Sequence, residues 1–232
     1  MFVHLPNNTQ IYAVSAANPT ESSWGYYCSP DDVVSGKHIG SCLGDLFSIN
    51  FLEDSDKGNY GQTLNQQFDT IKTLTNKSHV MQWGDLSFAD DKIGDFLTGS
   101  KHVRSNIRFI RPVERVGAKA MEESVMDSRT NKLQSLAAIY AREHSPEIFE
   151  EMTAEIESMQ TFEAIFRRLS SALGVDGKYN PRNIKFDCLR ATVDGFEEKC
   201  GKFTDYGLGF IKYLSHGCET VEPEQIMEAI EC

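Results

Sequence analysis

Apolar residues in the first hundred positions change period several times, as expected of mixed strands and helices. Ile11-Tyr12-Ala13-Val14-Ser15-Ala16-Ala17 is a short, mostly apolar run ended by Asn18-Pro19, which predicts a buried strand leading into a loop. Residues 29–41, rich in Ser, Pro, Asp and Gly, predict a surface loop. Apolar positions 43, 46, 47, 49, 51 and 52 predict a half-buried helix over Leu43–Leu52, with Asp45 near its start. Leu64, Phe68, Ile71 and Leu74, spaced 4, 3 and 3 apart, form one face of a second helix over Gln62–Leu74. His79–Trp83 reads as a short strand and Lys92–Leu97 as a short helix.

The later part reads as helical throughout. Residues 120–143 predict one helix around Leu133, Leu136, Ile139 and Tyr140. Ser145-Pro146-Glu147 is a helix start: Ser caps, Pro suits the first turn, and Glu complements the positive end of the helix dipole. Phe149, Met152, Ile156, Met159, Phe162, Phe166, Leu169 and Leu173 follow at helical spacing, and Gly174 is the expected stop. Asn180-Pro181 predicts another helix start, Phe203–Leu214 a helix ending near His216-Gly217, and Pro223–Ile230 the last helix. Short turns between helices indicate a small bundle.

Composition is that of a globular chain: 40% hydrophobic and 25% charged residues exclude wholesale disorder. No run approaches the roughly 18 apolar residues that a membrane span requires. Met1–Pro6 has neither the basic nor the apolar region of a signal peptide. The net charge of −11 is uneven: residues 1–100 carry 5 basic and 12 acidic groups, 101–119 carry 6 and 1, and 120–232 carry 12 and 21. A short basic segment between two acidic blocks argues against nucleic acid as a partner. The six cysteines, at 28, 42, 188, 200, 218 and 232, contain no C-x-x-C pair, which disfavours a zinc ribbon or a redox motif. From spacing alone, reduced scattered thiols and a disulfide framework both stay open. Two sequons, at Asn7 and Asn76, are glycosylation candidates compatible with a secretory route.

Ala16-Ala17-Asn18-Pro19-Thr20-Glu21-Ser22-Ser23-Trp24-Gly25, then Cys42-Leu43-Gly44-Asp45-Leu46-Phe47-Ser48, Glu53-Asp54-Ser55-Asp56 and Ser78-His79-Val80-Met81-Gln82-Trp83-Gly84-Asp85 resemble legumains, peptidase family C13. The wording is closer to plant vacuolar processing enzymes than to animal members. Cys188-Leu189, Phe196-Glu197, Cys200-Gly201, Tyr206-Gly207, Cys218 and Cys232 resemble the family's helical prodomain. The resemblance implies an α/β fold, an incomplete caspase-like sheet with helices, over residues 1–99. An activation linker over 100–130 and an all-α, death-domain-like prodomain over 131–232 follow. It also implies the disulfides Cys28–Cys42, Cys188–Cys218 and Cys200–Cys232, an oxidising compartment, and a vacuolar or lysosomal destination. No cofactor and no metal are implied.

In this family a Cys thiolate attacks the peptide carbonyl with a His as base. Both lie in blocks that precede those matched here. Of the six histidines only His79 falls in a matched block, where the family does not use it catalytically. The chain is therefore expected to hold no catalytic dyad and not to hydrolyse peptides alone. The resemblance assigns Ser22 and Asp45 to the S1 pocket that reads the Asn of a peptide or protein substrate, with Ser23 and Trp24 lining the adjoining substrate strand. A carboxylate and a hydroxyl suit a carboxamide, which is both donor and acceptor. Read locally, Asp45 is an ordinary helix N-cap, Ser22 a turn hydroxyl and Trp24 a half-buried aromatic.

The resemblance further implies that the prodomain contacts the catalytic domain within the precursor, and that the linker is cut after Asn or Asp in acid. Asn131, Asp127 and Asn106 are the candidates. The expected function is thus the C-terminal fragment of an asparaginyl cysteine endopeptidase precursor. The alternative is a non-catalytic regulatory protein whose helical domain binds and inhibits an intact legumain.

Overall fold

A computed structural model describes residues 2, 5–97, 125–178 and 184–232. The chain divides into two compact units, Met1–Asn131 and Lys132–Cys232.

The first unit is mixed α/β. Strand β1 (Tyr12–Ser15) pairs antiparallel with β6 (Met81–Gly84), from Tyr12↔Gly84 to Ser15↔Met81. Side chains bond diagonally across the pair: Trp83 Nε1 donates to Ser15 Oγ at 2.8 Å and Gln82 Nε2 to Tyr12 OH at 3.0 Å. A second, three-stranded sheet has β2 (Trp24–Tyr26) at its centre, between β5 (Gly44–Asp45) and β7 (Met126–Asp127). Helix α1 (Leu46–Asp56) starts at Asp45 and α2 (Leu64–Leu74) at Thr63. Thr63 and Gln66 exchange hydrogen bonds in a capping box, which fixes that start two residues later than the apolar pattern suggests. Leu46, Phe68, Ile71, Val80 and Ile93 are buried. Beside β1 lies an apolar cavity of about 570 Å³ lined by Tyr12, Val14, Phe47, Phe51, Phe68 and Phe96, among others.

Several expectations are corrected here. The first helix begins at Leu46 because Asp45 caps it, so Leu43 lies outside the helix and is exposed. Strand β6 starts two residues later and ends one residue later than expected, and helix α3 shrinks to Gly94–Leu97. The loop at 29–41 contains a hairpin of β3 (Val33–Val34) and β4 (Lys37–His38). Ser35 and Gly36, at φ of 52° and 78°, form its two-residue turn, the pair of positive φ values a right-twisted hairpin needs. Under the hairpin Asp32 is 0% exposed, its carboxylate accepting from Gly40 N at 2.8 Å and lying 2.6 Å from His38 Nδ1. The helix expected over 120–143 starts only at Asn131. Asp127 Oδ1 accepts from Arg129 N at 2.9 Å and Asp127 O from Thr130 N at 3.0 Å, a local turn that competes with helix.

The second unit is helical: α4 (Asn131–Glu143, whose first residue closes the first unit), α5 (Pro146–Leu173), α6 (Phe186–Cys200), α7 (Ile211–Thr220) and α8 (Pro223–Ala229). Ser145 caps α5, and Gly174 ends it at φ 66°, a left-handed conformation that costs glycine little. The start expected at Asn180-Pro181 lies outside the described residues; the helix described next begins at Phe186. Phe203–Leu214 is not one helix. A 3₁₀ turn at Gly207–Phe210 leads into α7, which runs through Gly217. That glycine does not stop the helix. It lets Ile226 pack closely, since a Cβ there would lie 2.9 Å from Ile226 Cδ1.

The core of this unit joins Phe162, Ile165, Phe166, Leu169, Phe196, Leu214 and Ile226. Its rings pack in contact, with centroids 4.4 Å apart for Phe196–Phe203 and 5.0 Å for Phe166–Phe210. Cys188–Cys218 and Cys200–Cys232 staple α6 to α7 and to the chain end.

Candidate functional site

The residues singled out from sequence gather around β2. The approach to it, Ala16–Ser23, is held from both sides. Asn18 Oδ1 accepts from Thr20 N at 2.8 Å, and Ser78 Oγ donates to Ala16 O at 2.6 Å. Glu21 takes three partners: Asn18 N at 2.8 Å and His79 N at 2.7 Å on Oε1, and His79 Nδ1 at 2.8 Å on Oε2. Partial desolvation pushes the Glu21 carboxyl up. The Asn18 and His79 N–H groups and the His79 ring outweigh it and hold the pKa below the ordinary value.

Strand β2 is paired along both edges. On one side Gly25 faces Asp45 and Tyr26 faces Gly44. On the other Trp24 faces Asp127 and Gly25 faces Met126. Ser22 Oγ donates to Asp127 Oδ1 at 2.7 Å, Ser128 N donates to Ser23 O at 3.1 Å, and the hydroxyls of Ser23 and Ser128 are 3.1 Å apart. Asp45 Oδ1 accepts from Phe47 N at 2.9 Å and Ser48 N at 3.2 Å, so the N-cap read locally is present. Ser22, Ser23, Trp24 and Asp45 are all half-buried.

Beneath β2 lies the Cys28–Cys42 disulfide, the pair the resemblance implies. A Cβ on Gly25 would sit 2.6 Å from Cys42 Sγ and 3.4 Å from Cys28 Sγ, so only glycine fits over the bridge without displacing it. The Asn131 carboxamide rests on the same loop, with Oδ1 3.1 Å from Cys42 Sγ and Nδ2 3.4 Å from Ser41 Oγ.

This arrangement presents a short strand whose edge takes an extended segment by main-chain pairing, with a hydroxyl ready for the segment's side chain. A segment of the chain's own, 126–128, lies there.

Residues 1–158 match the family described as Peptidase C13 family. The chain belongs to the peptidase C13 family. It is 29% identical to a vacuolar-processing enzyme of Vicia sativa, with 96% of this chain and 49% of that protein covered. A vacuolar-processing enzyme delta-isozyme of Arabidopsis thaliana is 28% identical over 98% of this chain and 53% of its own length. Mouse legumain (Mus musculus) is 27% identical over 96% of this chain and 52% of its own length. The chain spans about half the length of these curated relatives.

Within this C13 chain the structure brings Ser22, Ser23, Trp24 and Asp45 to one small sheet, together with Asp127. Asn131 lies apart from Ser22's partner, at the start of α4, and Asn106 falls outside the described residues. Asn7 and Asn76 are exposed. Sequence reasoning missed Glu21 and Gly25. Gly25 carries no local turn signal, and two of the three Glu21 contacts come from His79, 58 residues away. Among the described residues no helix is long and apolar enough to cross a membrane, and no His, Cys, Asp and Glu cluster could hold a metal.

Proposed function

We propose that this chain is part of an asparaginyl cysteine endopeptidase precursor, in which β2 receives the substrate peptide. Ser22 and Asp45 read an Asn side chain at the cleavage position. The observation that carries this reading is the antiparallel pairing of 126–127 with 24–25, with the Asp127 carboxylate on the Ser22 hydroxyl. Residues 126–127 lie along β2 as an extended substrate would.

The chemistry follows from the groups present. An Asn carboxamide donates its N–H groups to the Asp45 carboxylate and the Ser22 oxygen, while the peptide main chain pairs with β2. Asp45 is pre-oriented, because Oδ1 already accepts two N–H groups of α1. An Asp in the same place would set two carboxylates together, so it is accepted only when neutral, hence in acid. Nucleophilic Cys and base His are assigned to polypeptide outside the blocks matched here, so the chain as given is inactive alone. The helical unit is read as the death-domain-like prodomain, which contacts and restrains the catalytic domain. The three disulfides, the two exposed sequons and the vacuolar names of the relatives support a vacuolar or lysosomal route.

The test joins these residues to the upstream part of the precursor and compares kcat/KM for peptides with Asn and with Gln at the cleavage position. Asp45→Asn is expected to lose most Asn-directed turnover while keeping its circular dichroism. Unchanged turnover would remove Asp45 from the pocket.

A second reading, in which the helical unit binds and inhibits another C13 protease, is favoured by that unit's self-contained core and two bridges. Adding the chain to an active legumain-type enzyme separates the two: dose-dependent inhibition supports it, and none discards it.

A further inference from the structure

We propose that the Cys28–Cys42 disulfide is a redox-sensitive latch that holds the linker strand β7 against β2. Two contacts converge on this bridge, and both lead to β7. Gly25 is stacked on the sulfurs so closely that a Cβ there would lie 2.6 Å from Cys42 Sγ, and Gly25 pairs directly with Met126. Four residues after β7 in the chain, Asn131 Oδ1 lies 3.1 Å from Cys42 Sγ. A disulfide sulfur carries no proton, so this is close packing and not a hydrogen bond. The bridge thus fills the space between the strand that β7 pairs with and Asn131, the residue just after the linker.

On reduction the sulfurs must separate to van der Waals contact, and Cys42 Sγ, which lies against both Gly25 and Asn131, is the one crowded by the move. Cys28 is buried whereas Cys42 is half-buried, which favours attack on the Cys42 side of the bridge. A thiolate of a dithiol reductant attacks Cys42 Sγ, and the S–S electron pair leaves on Cys28, which takes a proton. The reductant's second thiolate then displaces Cys42 as a thiolate, which also takes a proton. Two electrons and two protons pass to the protein and the reductant leaves as its cyclic disulfide. The loop does not collapse, because Asp32 organises its interior through Gly40 N and His38. The effect is therefore local: β7 loses its backing and the edge of β2 opens. That this edge then admits peptide rests on the function proposed above; the opening itself does not.

The full 232-residue chain is compared with its Cys28→Ser/Cys42→Ser form by amide hydrogen exchange, and with the oxidised chain after dithiol treatment. Loss of the bridge is expected to speed exchange at Met126, Asp127 and Ser128 by at least about tenfold, with Met81–Gly84 changing less than about twofold. Gly25→Ala is expected to speed the same amides in the bridged chain and to have a smaller effect in the Ser pair. Unchanged exchange at 126–128 without the bridge overturns the proposal. So does an equal rise at 81–84, which would make the bridge a general staple. The readout needs no proteolysis, so its failure is distinct from failure of the protease reading.

Discussion

Ser22 donates its hydroxyl hydrogen to Oδ1 of Asp127 at 2.7 Å, across 105 residues of chain. This bond joins the residue proposed to read the substrate with one proposed to lie in the linker, and strand pairing between Trp24 and Asp127 extends it. Ser22→Ala removes one donor from a carboxylate that keeps Arg129 N. It is expected to lower the cost of opening β7 by about 1 kcal/mol, roughly fivefold faster exchange at the Ser128 amide.

Asp127 and Asn131 were both legible as cleavage candidates, and geometry separates them. Asp127 lies in a strand paired with β2, whereas Asn131 opens a helix and has its carboxamide on Ser41 and Cys42. In an active precursor Asp127→Asn is expected to speed linker cutting after residue 127 and move it to higher pH, because a carboxamide needs no protonation. N-terminal sequencing of the product reads the position; cutting confined to Asn131 rejects it.

Glu21 gives a pH dependence of defined sign. Its folded pKa lies below the ordinary carboxylate value. Its contribution is fully present above the unfolded pKa and is lost as pH falls through the lower folded value. The approach to β2 is therefore expected to stay ordered through mild acid and to loosen only below the usual carboxylate range. Glu21→Gln should flatten that profile and cost about 0.5–1 kcal/mol at neutral pH, measured by exchange at the His79 amide.

Lys132 and Glu155 form an ion pair at 2.7 Å in the helical unit, with the Glu155 side chain 8% exposed and Lys132 53%. The bond to Glu155 raises the Lys132 pKa, against partial desolvation that lowers it. That contribution is present below the unfolded lysine pKa and is lost as pH rises through the raised folded value. Exposure of the lysine makes the titration effect small. Lys132→Ala leaves the carboxylate buried without its cation and is expected to cost about 1–3 kcal/mol, with less cost when Glu155→Leu accompanies it. Urea unfolding of the four variants checks the coupling.

Local chemistry made much of the fold readable. Ser145-Pro146 and Gly174 bound α5 as expected, because caps and a left-handed stop depend only on neighbouring residues. Apart from helix starts moved by their own caps, the failures lie where distant contacts decide. The sequence predicts a helix end near Gly217, which instead packs under Ile226 within α7; it predicts helix at Met126–Asp127, which is a strand because β2 offers it a partner. The residues proposed for substrate reading follow the same division. Asp45's cap was visible in Gly-Asp before an apolar run, whereas the Ser22–Asp127 bond leaves no trace in either segment.

The most direct test is the structure of the linker-cut, complete enzyme bound to a peptide with Asn at the cleavage position. The peptide is expected to pair with Trp24 and Gly25 in place of Met126–Asp127, with its carboxamide within hydrogen-bond distance of Ser22 and Asp45. A peptide bound elsewhere while 126–127 stays on β2 would contradict the account.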